Sequence, residues 1–208
     1  MVSRHLSTLR ITGEHVLLRW WTSRDEQIQR TWPRYTDPFS QLWNIPRPLS
    51  GSDGLFNFYT SSTPRRAWAI EDGDGTLIGR ISLRDIEQRQ GQARLGISLG
   101  APYVSKRLGT EALRLFIDYY FDEIGFRIMV LDVAAFNRRA VRCYERLGFL
   151  EISNEWRRTG GGQALTDLKD PANEYLQPYF KQERYSLWVQ FLEMELRRTQ
   201  WYEMKLRS

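Results

Sequence analysis

The chain has 208 residues, enough for one well-formed core with an appendage, and its 41% hydrophobic and 26% charged content is that of a soluble globular protein. No run of eighteen apolar residues and no secretory h-region occurs, so neither a membrane partner nor export is expected and the cytoplasm is the expected compartment. One cysteine, Cys143, excludes an internal disulfide and a Cys-rich metal site, and His5 and His15 have no ligand-like spacing, so no metal is expected.

In chain order, residues 14–20 alternate well enough for a first strand, and Ser23 is the expected cap of a short helix reaching about Arg30. From Thr31 to Pro64 the chain is punctuated by prolines, with short helices expected near 35–44 and 53–60. Residues 66–71 and 76–87 flank "DGDG", a hairpin signal rich in residues that accept positive φ, and "QRQGQ" leads to a strand at 93–99.

Leu113, Phe116, Ile117, Tyr120, Phe121 and Ile124 then recur at three- and four-residue spacing, the buried stripe of an amphipathic helix that Gly125 ends. Residues 127–135 give a β-branched, apolar strand. Asn137 is the expected N-cap of a helix carrying Ala140, Val141, Tyr144 and Leu147 on one face, with Gly148 as terminator. Residues 150–159 read as a strand, 160–183 as an irregular insertion without firm periodicity, and 187–196 as a closing strand. One domain over residues 1–208 is expected, with that insertion before its last strand.

The order strand–loop–helix–strand–helix, with "EALRLFIDYYFDEIG" and "NRRAVRCYERLGF", resembles the Gcn5-related N-acetyltransferase (GNAT) family over roughly residues 12–158. Within that family the chain looks most like the branch acting on ribosomal-protein N-termini, polyamines and similar amines. The resemblance implies an α/β fold: a mixed, mostly antiparallel sheet of six to seven strands flanked by helices. It also implies transfer of an acetyl group from acetyl-CoA to a primary amine, with acetyl-CoA as co-substrate and a homodimer as an open option.

The family's pyrophosphate loop aligns with Val104, Ser105, Lys106, Arg107, Leu108, Gly109 and Thr110. A helix N-terminus holds an anion through unsatisfied backbone donors and the positive end of its dipole. Gly109 fits the pattern, whereas Val104 and Arg107 depart from it, the latter standing where a glycine is usual. Two outcomes follow: Arg107 turns outward and adds a phosphate contact beside Lys106, or it refills the anion site and the protein is a catalytically degenerate binding or regulatory module.

By the same resemblance, Ile97, Ser98 and Leu99 would pair with the pantetheine arm, and Asn137 would contact it while also capping its helix. Tyr144 would protonate the departing thiolate; its other reading is packing with Ala140, Val141 and Leu147. The usual base position holds Arg94, so Asp85 and Glu87 are the available stand-ins, directly or through water, or else simply solvated strand-end charges. Trp32, Tyr35, Trp43, Phe56, Phe58 and Tyr59 fall where relatives wall the acceptor site, or they simply pack a loop-rich layer. The net charge of +5 favours anionic partners, but 25 acidic residues are interspersed with 30 basic ones, and nucleic acid is not an expected partner.

Overall fold

The computed structural model describes residues 9–45, 66–160, 162–184 and 186–207. These fall into two compact units, one of residues 9–34, 66–130 and 196–207, the other of 35–45 and 131–195. Phe56, Phe58, Tyr59 and the helix expected near 53–60 lie outside the described residues.

The first unit is an antiparallel meander of β1 (Arg10–Thr12), β2 (Val16–Trp20), β3 (Arg66–Asp72), β4 (Leu77–Glu87) and β5 (Gln92–Leu99), continued by the first residues of β6 (Ile128–Ala134). Asp72 builds the β3–β4 turn: its carboxylate accepts the N–H groups of Asp74 and Thr76, and Gly75 supplies the positive φ of 76°. β6 enters where Arg127 N–H donates to Gly91 O at 2.7 Å.

Helix α1 (Ser23–Arg30) is capped by Thr22, one residue before the expected Ser23. Counting from Thr22 places Asp25 at the third helical position, where its carboxylate accepts the Thr22 N–H at 2.8 Å and completes a capping box. The same carboxylate pairs with Arg19 at 2.7 Å, tying α1 to β2.

Helix α2 (Leu108–Asp122) buries Ala112, Leu113, Phe116, Ile117, Tyr120 and Phe121, the stripe read from the sequence, and Gly125 follows it at φ 77°. Trp68 stacks on Trp20 at 5.0 Å and meets Phe116 edge-on at 4.7 Å, joining sheet and helix.

The second unit contains the rest of β6, helix α3 (Arg138–Arg146), β7 (Leu150–Gly160), helix α4 (Gly162–Asp167), a 3-10 segment (Pro171–Tyr179), β8 (Phe180–Glu183) and most of β9 (Ser186–Arg197). β9 lies between β6 and β7, with β8 also paired to it. The chain closes in the first unit with helix α5 (Arg198–Leu206), which docks on α2 as Trp201 Nε1 donates to Asp118 at 2.7 Å.

Nine mostly antiparallel strands among the described residues, flanked by helices, make this the expected α/β class. The count exceeds six to seven because β1 and β8 are three and four residues long, too short to leave an alternation. The stretch 160–183 is not irregular. It carries α4, the 3-10 segment and β8, and it sends Leu176 and Phe180 into a core cluster with Phe39, Phe136, Val189 and Phe191. Three short elements around Pro171 and Pro178 give no single period to detect. Among the described residues no helix is long and apolar enough to cross a membrane.

Candidate active site

In the first unit, the end of β5 and the start of α2 meet. Ile97, Ser98 and Leu99 pair with Ile81, Arg80 and Gly79 of β4, and Gln29 of α1 donates to Ser98 Oγ at 3.4 Å. Leu99 lies between two glycines: a Cβ on Gly79 would sit 2.6 Å from its Cδ2, and one on Gly109 2.8 Å from its Cδ1. The absence of both Cβ atoms sets how closely α2 begins against the strand.

Between them, Ala101–Tyr103 form a 3-10 turn, and Val104, Ser105, Lys106 and Arg107 lead into the helix. Ser105 has φ 63° and Arg107 φ 65°, so the arginine at the glycine position adopts the left-handed backbone that glycine would take. Arg107 is exposed, as are Ser105 and Lys106, and Lys106 Nζ lies over the Tyr103 ring at 5.9 Å. The helical ladder begins with Thr110 and Glu111, whose N–H groups both donate to Arg107 O at 3.0 Å. The N–H groups of Leu108 and Gly109 precede that ladder, the usual donors of a helix N-terminus.

Glu111, which the sequence offers only as part of the motif after the loop, fixes this start. Its Oε1 accepts the N–H of His15 at 2.8 Å and of Val16 at 3.2 Å, and its Oε2 meets His15 Nδ1 at 3.2 Å. Burial alone would raise this carboxyl, but the two backbone N–H groups and the His15 ring outweigh it and hold the group below the usual range. Its only sequence signal is an acid in a first helical turn, which usually serves the dipole alone.

In the second unit, Asn137 caps α3 as expected, its Oδ1 accepting the Ala140 N–H at 3.3 Å. Tyr144, on the face of α3 that also buries Val141, is 8% exposed and meets Phe149 edge-on at 5.8 Å. Burial pushes its phenol well above the ordinary value, with the neighbouring Cys143 adding to the shift. A cavity of about 180 Å³ in this unit is lined by Asp37, Trp43, Phe136, Asn137, Arg139 and Tyr175, with Tyr35 edge-on to Trp43 at 4.8 Å. Of the remaining aromatics, Trp32 lies in the first unit beside Gly100.

The profile of the acetyltransferase (GNAT) domain family matches residues 15–150, from the start of β2 to the start of β7. The chain belongs to the GNAT family. Among curated relatives of this GNAT chain, the spermidine N(1)-acetyltransferase of Vibrio cholerae is 28% identical over 97 residues, which is 47% of this chain and 56% of that one. The Bacillus subtilis protein YdaF is 33% identical over 78 residues, 38% of this chain and 43% of that one. These alignments thus span about half the length of the relatives. The crystal structure of spermidine N-acetyltransferase from Vibrio cholerae in complex with CoA and spermine superposes with a TM-score of 0.60 at 19% identity, covering 91% of this chain and 99% of that one. That likeness establishes a shared fold.

Of the two carboxylates named near the family's base position, Asp85 and Glu87, the first pairs with Arg94. Arg94 is 11% exposed and its Nε lies 3.4 Å from Asp85 Oδ2, so that carboxylate serves the arginine. Asp85 sits at φ 48° in an irregular stretch of β4, which turns it toward Arg94. Among the described residues no group of three or more His, Cys, Asp or Glu side chains is arranged to hold a metal.

Proposed function

We propose that this chain is an acetyl-CoA-dependent N-acetyltransferase that acylates a primary amine. The observation that carries the reading is the start of α2, where a non-glycine residue keeps the left-handed backbone and turns its side chain to solvent. Strain of this kind persists where the surroundings over-determine it, often at ligand clamps. The backbone N–H groups around 105–110 would bind the pyrophosphate, with Val104 shaping the approach and Lys106 and Arg107 adding charge at the rim. Ile97, Ser98 and Leu99 would present backbone groups to the pantetheine amide bonds, and Asn137 would add a polar contact to the same arm.

In the reaction the amine lone pair attacks the thioester carbonyl, forming the C–N bond as the C–S bond breaks with its electron pair on sulfur. Tyr144 Oη would give its proton to that sulfur and recover one from solvent. Burial favours this role in one respect: the phenol stays protonated throughout the neutral range. The one proton that the nitrogen sheds on acylation would leave through water, because Asp85 is engaged by Arg94. A deprotonated amine held near the thioester needs little further assistance.

The degenerate alternative, with Arg107 filling the anion site, has no supporting observation, since that side chain is exposed. The spermidine acetyltransferases among the relatives make an aliphatic polyamine the first acceptor to test, followed by a peptide N-terminus. The test is calorimetric titration with CoA, together with amine-dependent thiol release from acetyl-CoA.

A further inference from the structure

We propose that Glu111 is a positioning residue for the anion-binding turn, acting through Arg107. The inference rests on the acetyl-CoA reading above. Glu111 is tied at both ends: its backbone N–H donates to Arg107 O at 3.0 Å, while its carboxylate takes the N–H groups of His15 and Val16 at the start of β2. The carbonyl it holds belongs to the residue with φ 65°, which no side-chain cap supports.

A left-handed arginine at the head of a helix relaxes toward the right-handed region unless its neighbours prevent it. The Glu111 tether to β2 is the fixed point from which the first turn is hung. Gly13 completes it, because a Cβ there would fall 2.5 Å from Glu111 Oε1 and 2.8 Å from Leu115 Cδ1. The missing Cβ leaves the carboxylate its place, and any side chain at residue 13 would have to displace it. Neither residue needs to touch the ligand to govern it.

The experiment measures CoA affinity and melting temperature for wild type, Glu111→Ala, Glu111→Gln and Gly13→Ala, with kcat and KM for acetyl-CoA. Glu111→Ala should raise Kd and KM about tenfold, the scale of losing one charged hydrogen bond, while kcat at saturation changes less. Glu111→Gln should restore affinity to within about threefold of wild type, since its amide oxygen still accepts both backbone N–H groups. Gly13→Ala, pressing on the carboxylate from the other side, should weaken CoA in the same direction. A purely structural contact would instead lower the melting temperature of Glu111→Ala and leave Kd at the wild-type value, which overturns the proposal. Should Glu111→Ala not fold, Gly13→Ala decides alone, and unchanged affinity there overturns it. Wild type that binds no CoA would refute the functional reading instead, so the two failures are distinct.

Discussion

Leu99 and Gly109 are in contact at a distance that only glycine permits: a Cβ on Gly109 would lie 2.8 Å from Leu99 Cδ1. The other methyl of Leu99 lies toward Gly79, where a Cβ would fall 2.6 Å from Cδ2, so the leucine fills the space that both glycines leave. Gly109→Ala should therefore push the head of α2 away from β5, at an overpacking cost of about 1–3 kcal/mol. Chemical denaturation should register the loss, and titration should show weaker CoA binding.

At Arg107, two substitutions separate backbone from charge. Arg107→Gly removes a left-handed cost of about 1–2 kcal/mol and adds about 0.5–1 kcal/mol of chain entropy loss, so stability should stay level or rise slightly. Arg107→Ala removes a rim charge worth on the order of 1 kcal/mol and should weaken CoA about fivefold, more at low salt. Affinity unchanged in both variants would make the side chain a bystander to binding.

Tyr144→Phe should lower turnover by about 10²-fold or more while leaving CoA affinity within a few fold, because only the proton donor is lost. The pH dependence has a definite sign. Burial raises the folded phenol above its unfolded value near 10, so Tyr144 stays neutral in the fold while the unfolded chain begins to ionise. Its contribution to stability is complete below about pH 10 and falls as pH rises beyond that. Any basic limb in the rate below pH 10 should persist in the residual activity of Tyr144→Phe, since it belongs to another group.

Much of this was legible from the residues. The α2 stripe, the Asn137 cap and the Tyr144 face are local periodic signals, and the "DGDG" turn was readable because Asp72 and Gly75 have few other uses. What escaped depends on distance along the chain. Glu111 meets His15 across 96 residues, and Asp85 is spent on Arg94 through a local irregularity of β4. Neither leaves a pattern in the sequence.

The elements within 160–183 escaped because they are too short to leave a period, and deleting the stretch should do more than remove a loop. Leu176 is 4% exposed and Phe180 8%, with Phe180 packed on Phe39 and Phe136 at ring distances of 5.1 and 5.2 Å. Leu176→Ala should cost about 2–5 kcal/mol and Phe180→Ala about 3–5 kcal/mol. Removing the whole stretch would expose that cluster along β9 and should leave the second unit unfolded, which circular dichroism and denaturant titration would report.

The most direct measurement of the central claim is thiol release from acetyl-CoA in the presence of spermidine, spermine and a peptide with a free N-terminus, with the product identified by mass spectrometry. The account predicts amine-dependent release of CoA and an N-acetylated product from wild type, strongly reduced in Tyr144→Phe. Folded wild type that binds CoA but releases no thiol with any of these amines would contradict it.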